Sequence, residues 1–136
     1  MQDRFKFRYV FEKDFGGKTG ICYKMPVFNL DDAVRSVFEN KILEYTNFGY
    51  KLITKNQCTG LKDKHGKLIY ERDIVKTIYN RPDGVIINRN CVIEYNRGAF
   101  WINYGIGASY LSNDDCIYEV IGNIYENPKL LEVENE

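Results

Sequence analysis

From Gln57 onward, turn-forming clusters recur at short intervals, and no apolar run between them is long enough for a helix. The clusters are Asp63-Lys64-His65-Gly66, Arg81-Pro82-Asp83-Gly84, Asn96-Arg97-Gly98 and Gly105-Ile106-Gly107. Glycine, proline, aspartate and asparagine serve in turns because they adopt or fix backbone angles that other residues resist. The runs between them predict strands at 67–70, 73–80, 85–87, 91–96, 99–104 and 117–125. A sheet of such strands with no helix of its own has to hide its edges, which predicts a closed or nearly closed small barrel over 57–126. Asn127-Pro128 then favours a turn or helix start, and the acidic end at 132–136 is expected to fray.

The first 56 residues read differently. Phe5, Phe7, Tyr9 and Phe11 alternate with Arg4, Lys6, Arg8 and Val10, the period-two pattern of a strand with one buried and one wet face. After the glycine-rich 16–20 turn, Ile21 to Phe28 is expected to return as a second strand. The period then changes: Leu30, Ala33, Val34, Val37, Phe38 and Ile42 fall at helical spacing, with Asn29 as N-cap and Asp31 and Asp32 at the positive end of the helix dipole. This predicts one amphipathic helix at about 30–43, covering an apolar face or opening of a sheet, and a further strand over Tyr50–Thr54. The fold class expected is therefore α+β and β-rich: an N-terminal segment (1–56) of strands and one helix, a small β-barrel (57–126) and a short tail (127–136).

Composition narrows what such a chain can do. Its 136 residues, 44% hydrophobic and 28% charged, belong to a folded protein. Nineteen basic and nineteen acidic side chains cancel, so bulk charge favours neither nucleic acid nor a membrane surface. Charges interleave with the aromatics of the N-terminus, unlike a secretory signal, and no apolar run could cross a membrane as a helix, so a cytoplasmic location is expected. Cys22, Cys58, Cys91 and Cys116 are far apart in sequence with one histidine among them, so they read as reduced thiols in strands rather than a zinc site.

Residues with catalytic potential have simpler explanations. His65 sits in a turn with no orienting carboxylate or nucleophile beside it in the sequence. Glu71 and Asp73 could share a strand face, and Asp114-Asp115 is a second acidic pair, but acids at loop–strand junctions are commonplace. Gly17-Lys18-Thr19 lacks the first glycine of a phosphate loop and has no helix directly behind it, and Gly107-Ala108-Ser109 lacks the frame of a nucleophile elbow. No catalytic residue, metal site or cofactor is expected. The aromatic content stands above background. Phe100, Trp101 and Tyr104 cluster on one predicted strand with Arg97 just before it, and Trp101 faces away from Phe100 and Tyr104. The cluster reads as core packing, as anchors of a protein contact, or as a platform for single-stranded nucleic acid.

Two long blocks carry a family resemblance. Gln57-Cys58-Thr59-Gly60-Leu61-Lys62-Asp63-Lys64-His65-Gly66-Lys67 with Ile69-Tyr70-Glu71-Arg72-Asp73-Ile74-Val75, and Val120-Ile121-Gly122-Asn123-Ile124-Tyr125-Glu126-Asn127-Pro128 with Leu130-Leu131, resemble the signatures of the YopX family of bacteriophage and prophage proteins. Phe5-Lys6-Phe7-Arg8 is similar to the family's opening strand. The chain departs at Arg72, where the family usually has glycine, so that turn is expected to take another shape, and at Cys58, where an aromatic is common. The resemblance implies a phage-encoded cytoplasmic protein of no assigned activity, β-rich at its C-terminal end and able to form homo-oligomers. It implies structural roles for Gly60, Gly66, Tyr70, Asp73, Gly122, Asn123, Tyr125, Asn127 and Pro128. The start Asp73-Ile74-Val75 resembles the first long strand of SH3-like barrels. The function expected is a non-enzymatic module that binds protein, its own copies included, with single-strand nucleic-acid binding as the alternative.

Overall fold

The computed structural model of the chain describes residues 5–29, 36–80, 82–84, 86–105, 107–111 and 116–132. Two compact units divide it, Met1–Cys58 and Thr59–Glu136.

In the first unit, strand β1 (Phe7–Asp14) pairs antiparallel with β2 (Ile21–Lys24) and β3 (Val27–Phe28) on one side and with the first part of β4 (Lys51–Lys62) on the other. The single strand expected over 21–28 is broken at Met25-Pro26. Proline has no N–H to donate, and its carbonyl instead accepts from Tyr9 N at 2.9 Å. Helix α1 (Ser36–Asn47) runs past the expected end at 43, and residues 30–35 of the predicted helix lie outside those described. Phe38 and Tyr45, seven apart and so on one helix face, carry the docking. Phe38 meets Tyr9 at 4.7 Å and Phe28 at 5.2 Å between ring centroids, and Tyr45 meets Phe11 at 5.0 Å edge to face.

The opposite face of β1 is not simply wet. Val10 is fully buried, and Arg8 donates from Nε and Nη2 to Oδ1 of buried Asn56 at 3.1 and 2.9 Å. The strand expected at Tyr50–Thr54 extends to Lys62. Its register against β1 skips Ile53, since Val10 pairs with Thr54 and Phe11 with Leu52, which is a β-bulge.

In the second unit, the end of β4 neighbours β5 (Leu68–Tyr70), and five antiparallel strands follow in the spatial order β10-β6-β7-β8-β9. These are β6 (Asp73–Asn80), β7 (Ile86–Asn96), β8 (Ala99–Asn103), β9 (Ala108–Tyr110) and β10 (Cys116–Asn123). The runs expected at 85–87 and 91–96 form one strand, because β6 pairs with β7 from Ile74↔Val92 to Asn80↔Ile86 straight through the polar Asn88–Asn90 stretch. Strand β9, wholly exposed and with no apolar alternation, was not among the expected strands.

The core lies on one face of this sheet. Ile69, Val75, Cys91, Ile93, Ile102 and Tyr118 are buried together, and Leu61, Phe100, Tyr104, Leu111, Cys116 and Val120 pack around them. Each fully buried large side chain is worth roughly 1.5–3 kcal/mol. On the opposite face, Asn90 Nδ2 donates to Leu130 O at 2.9 Å, docking the 3₁₀ turn Pro128–Leu131 against β7. Among the described residues the fold is β-rich with one α-helix, and its second sheet is a curled half-barrel without pairing between β9 and β10.

Candidate functional site

The two blocks that carry the family resemblance resolve into two locks, one on the outer edge of β10 at Tyr118–Val120 and one just after its C-terminal end. The first is built on Asp63, only 8% exposed. Its Oδ1 accepts from the backbone N of His65 and of Lys67, each at 2.9 Å, and its Oδ2 accepts from Val120 N at 2.9 Å. The register of β10 on β6 shifts between Val120 and Gly122, and the irregularity falls where Val120 N turns to Asp63. Lys64 N also donates to Tyr118 O at 2.9 Å, so the β4–β5 turn covers the edge of β10. Burial alone would push the Asp63 carboxyl up, but the N–H groups of Val120, Lys67 and His65, with the nearby His65 ring, outweigh it and hold the group below the usual carboxylate range. Above the turn, Lys64 Nζ and His65 Nε2 approach the Glu119 carboxylate at 3.4 and 3.5 Å, and the Lys64 hydrogen bond lowers its pKa. His65 is thus a surface residue bridging to β10.

The second lock follows β10. Asn123, 7% exposed, accepts at Oδ1 from Tyr125 N (3.0 Å) and Glu126 N (2.9 Å) and donates from Nδ2 to Glu126 Oε1 (3.0 Å). Asn123 and Asn127 answer each other: Asn123 N donates to Asn127 Oδ1 at 3.2 Å, and Asn127 N to Asn123 O at 2.9 Å. A Cβ on Gly122 would run into the Asn127 side chain, 2.7 Å from its Cγ, so this position requires glycine for close approach. Pro128 then opens the 3₁₀ turn, where its missing N–H costs nothing.

Between the locks, Tyr70 N donates to Oδ2 of buried Asp73 at 2.8 Å, closing the 70–73 turn. Asp73 is therefore committed to the turn rather than to a carboxylate pair with Glu71. Arg72 keeps the glycine-like shape, contrary to expectation: its φ is 71°, its N donates to Ile93 O at 2.7 Å and its O accepts from Ile124 N at 3.1 Å. The surrounding hydrogen bonds fix the left-handed conformation whatever side chain the residue carries. Gly60 and Gly66 also have positive φ.

The aromatic cluster splits across the second sheet. Phe100 and Tyr104 pack on the core, with the Tyr104 hydroxyl 3.0 Å from Ser109 Oγ and the Phe100 ring against Tyr95 at 4.9 Å. Trp101 lies on the opposite face. Its indole stacks on Tyr110 of β9, with centroids 4.2 Å apart and planes 24° off parallel, and its Nε1 donates to Asn96 O at 2.8 Å. Tyr110 is 63% exposed. Glu94 is directly opposite Trp101 in register, accepts from Asn103 Nδ2 at 3.1 Å and lies 3.8 Å from Arg72 Nη1. Arg97 stands at the tip of the β7–β8 hairpin, where it and Gly98 have φ of 53° and 78°. The four predicted residues thus do not form one patch. The outer-face group is Trp101, Tyr110, Glu94, Asn103 and Arg72, and Tyr110 was missed because β9 carries no strand signal.

The family described as YopX protein matches residues 23–132, which include both locks and the aromatic face. The chain belongs to the YopX family. It is also similar to protein EF1440 from Enterococcus faecalis, known from a crystal structure, at 23% identity over 93% of this chain and 97% of that one, with a TM-score of 0.42. No curated protein matches the chain significantly. Of the residues to which the resemblance gives structural roles, Gly60 lies within β4, and Gly66, Tyr70, Asp73, Gly122, Asn123, Tyr125, Asn127 and Pro128 lie in or beside the turns and locks just described.

Among the described residues, no three His, Cys, Asp or Glu side chains converge as metal ligands, and no helix is long and apolar enough to cross a membrane. The four cysteines are free thiols; Cys58 and Cys91 are buried, and burial pushes the Cys91 thiol up. Asp114 and Asp115 lie outside the described residues.

Proposed function

We propose that this chain is a non-enzymatic protein-contact module, that its contact surface is the outer face centred on Trp101 and Tyr110, and that its first partner is a second copy of itself. The observation that carries the reading is the stacked Trp101–Tyr110 pair held on a rigid sheet, with Tyr110 63% exposed. Large aromatics whose rotamers are already fixed lose little entropy on binding, which is why they dominate protein interfaces. Charge favours protein over nucleic acid. Residues 59–136 carry nine basic and twelve acidic side chains, and Glu94 stands directly beside the stack. That carboxylate beside the rings would repel a phosphate backbone laid across them.

An SH3-like barrel is the architecture this reading favours, supported by the half-barrel order of the second sheet and the turn that covers β10. A phage-encoded accessory role in the host cytoplasm, without a cofactor, completes the proposal. Sedimentation across a wide concentration range tests it: the wild type associates, and Tyr110→Ala stays monomeric. Equal behaviour of the two proteins overturns the proposal.

A further inference from the structure

The first unit carries an edge that nothing in the outer-face reading uses. β4 is exposed at all five residues from Lys51 to Lys55, and β5 reaches it only beyond the 63–67 turn. Among the described residues no strand pairs with its outer side over Lys51–Lys55, which leaves that edge open to an added strand; Lys55 O accepts there only from the neighbouring Thr54 Oγ1 at a long 3.4 Å. Beside it, a groove of about 360 Å³ is lined by Tyr9, Leu52, Ile53, Thr54 and Lys55. Leu52 and Ile53 are 41% and 37% exposed. Lys55 pairs with Tyr9 and Leu52 with Phe11, so Lys55, Leu52 and Tyr9 share a sheet face.

Charge selects what could fill this edge. Residues 1–58 carry ten basic and seven acidic side chains. Glu12 stands opposite Lys51, whereas Lys55 has the Phe7 ring at 5.3 Å and no carboxylate partner among the described residues. A second copy is a poor occupant, because antiparallel self-pairing about Ile53 would set Lys51 against Lys55 twice, and like charges directly opposite destabilise a strand pair. An extended acidic segment gains from the same lysine.

We infer that the Lys51–Lys55 edge of β4 takes up, as an added strand, an extended segment of a partner protein that places an apolar residue in the Tyr9–Leu52–Ile53 groove and an acidic residue against Lys55. Backbone hydrogen bonds supply affinity in this mode, and the groove and Lys55 supply selectivity.

A fluorescein-labelled peptide of repeating Val-Thr-Glu-Thr, which sets valine and glutamate on one face and threonine on the other, tests this by polarisation and heteronuclear NMR. The peptide is expected to bind and shift the amides of residues 51–57. Lys55→Glu is expected to weaken it about tenfold, the equivalent of about 1.4 kcal/mol. Replacing the peptide's glutamates by lysine should restore affinity for that variant, which also shows that the variant is folded. Tyr110→Ala should leave peptide binding unchanged, separating this edge from the outer face. No binding, equal affinity for wild type and Lys55→Glu, or self-association lost only in Lys55→Glu would overturn the inference.

Discussion

Replacing Asp63 by asparagine tests how the second unit is held together. The carboxylate accepts three backbone N–H groups, two at Oδ1 and one at Oδ2. An asparagine keeping its oxygen toward His65 N and Lys67 N must aim its amide N–H₂ at Val120 N, donor against donor. The opposite flip sacrifices two bonds to save one. Losing one bond to a charged acceptor costs about 1.5–3 kcal/mol, and the Val120 N–H left without a partner adds to it, so the expected loss is about 2–4 kcal/mol. For a chain of this size that lowers Tm by roughly 8–15 °C.

The pH dependence follows from the same carboxylate. Its folded pKa lies below the unfolded one, so its stabilisation is fully present above the ordinary carboxylate range and is lost as pH falls through the depressed value. Thermal denaturation by circular dichroism from neutral to strongly acid pH should show the wild type losing stability on the acid side faster than Asp63→Asn, with the two curves converging. A variant melting within about 2 °C of the wild type at neutral pH, or an unchanged gap in acid, would refute the assignment of Asp63 as the fastener of β10.

Three further outcomes are expected. Gly122→Ala should destabilise by about 1–3 kcal/mol in urea unfolding, because its Cβ displaces the Asn127 side chain and breaks the bond to Asn123 N. Arg72→Gly should stabilise by about 0.5–1 kcal/mol, since relief of a left-handed side-chain conformation exceeds the entropy glycine loses, and the exposed 3.8 Å approach to Glu94 adds little. Phe38→Ala should cost about 2 kcal/mol by removing the ring that joins α1 to Tyr9 and Phe28, measurable as loss of helical ellipticity at a lower denaturant concentration.

The strands of the second unit were legible where turn residues bracketed apolar runs, as at 73–80 and 99–104, because glycine and asparagine mark turns by local backbone preference. Strand β9 was not, since Ala108-Ser109-Tyr110 is held by pairing with β8 and all three of its residues are exposed. Chain continuity through Asn88–Asn90 was hidden for the same reason: a ladder is closed by backbone groups that every sequence carries. The facing of Trp101 away from Phe100 and Tyr104 followed from strand alternation alone. Its partner Tyr110 did not, because that stack joins two strands. Asp63 read as an ordinary turn residue, since its bond to Val120 spans 57 positions.

The single tryptophan makes Trp101 emission the most direct probe of the outer face. The account predicts that emission shifts to the blue as protein concentration rises and stays unchanged when single-stranded oligonucleotide is added at low salt. Emission indifferent to protein concentration but quenched by the oligonucleotide would contradict it.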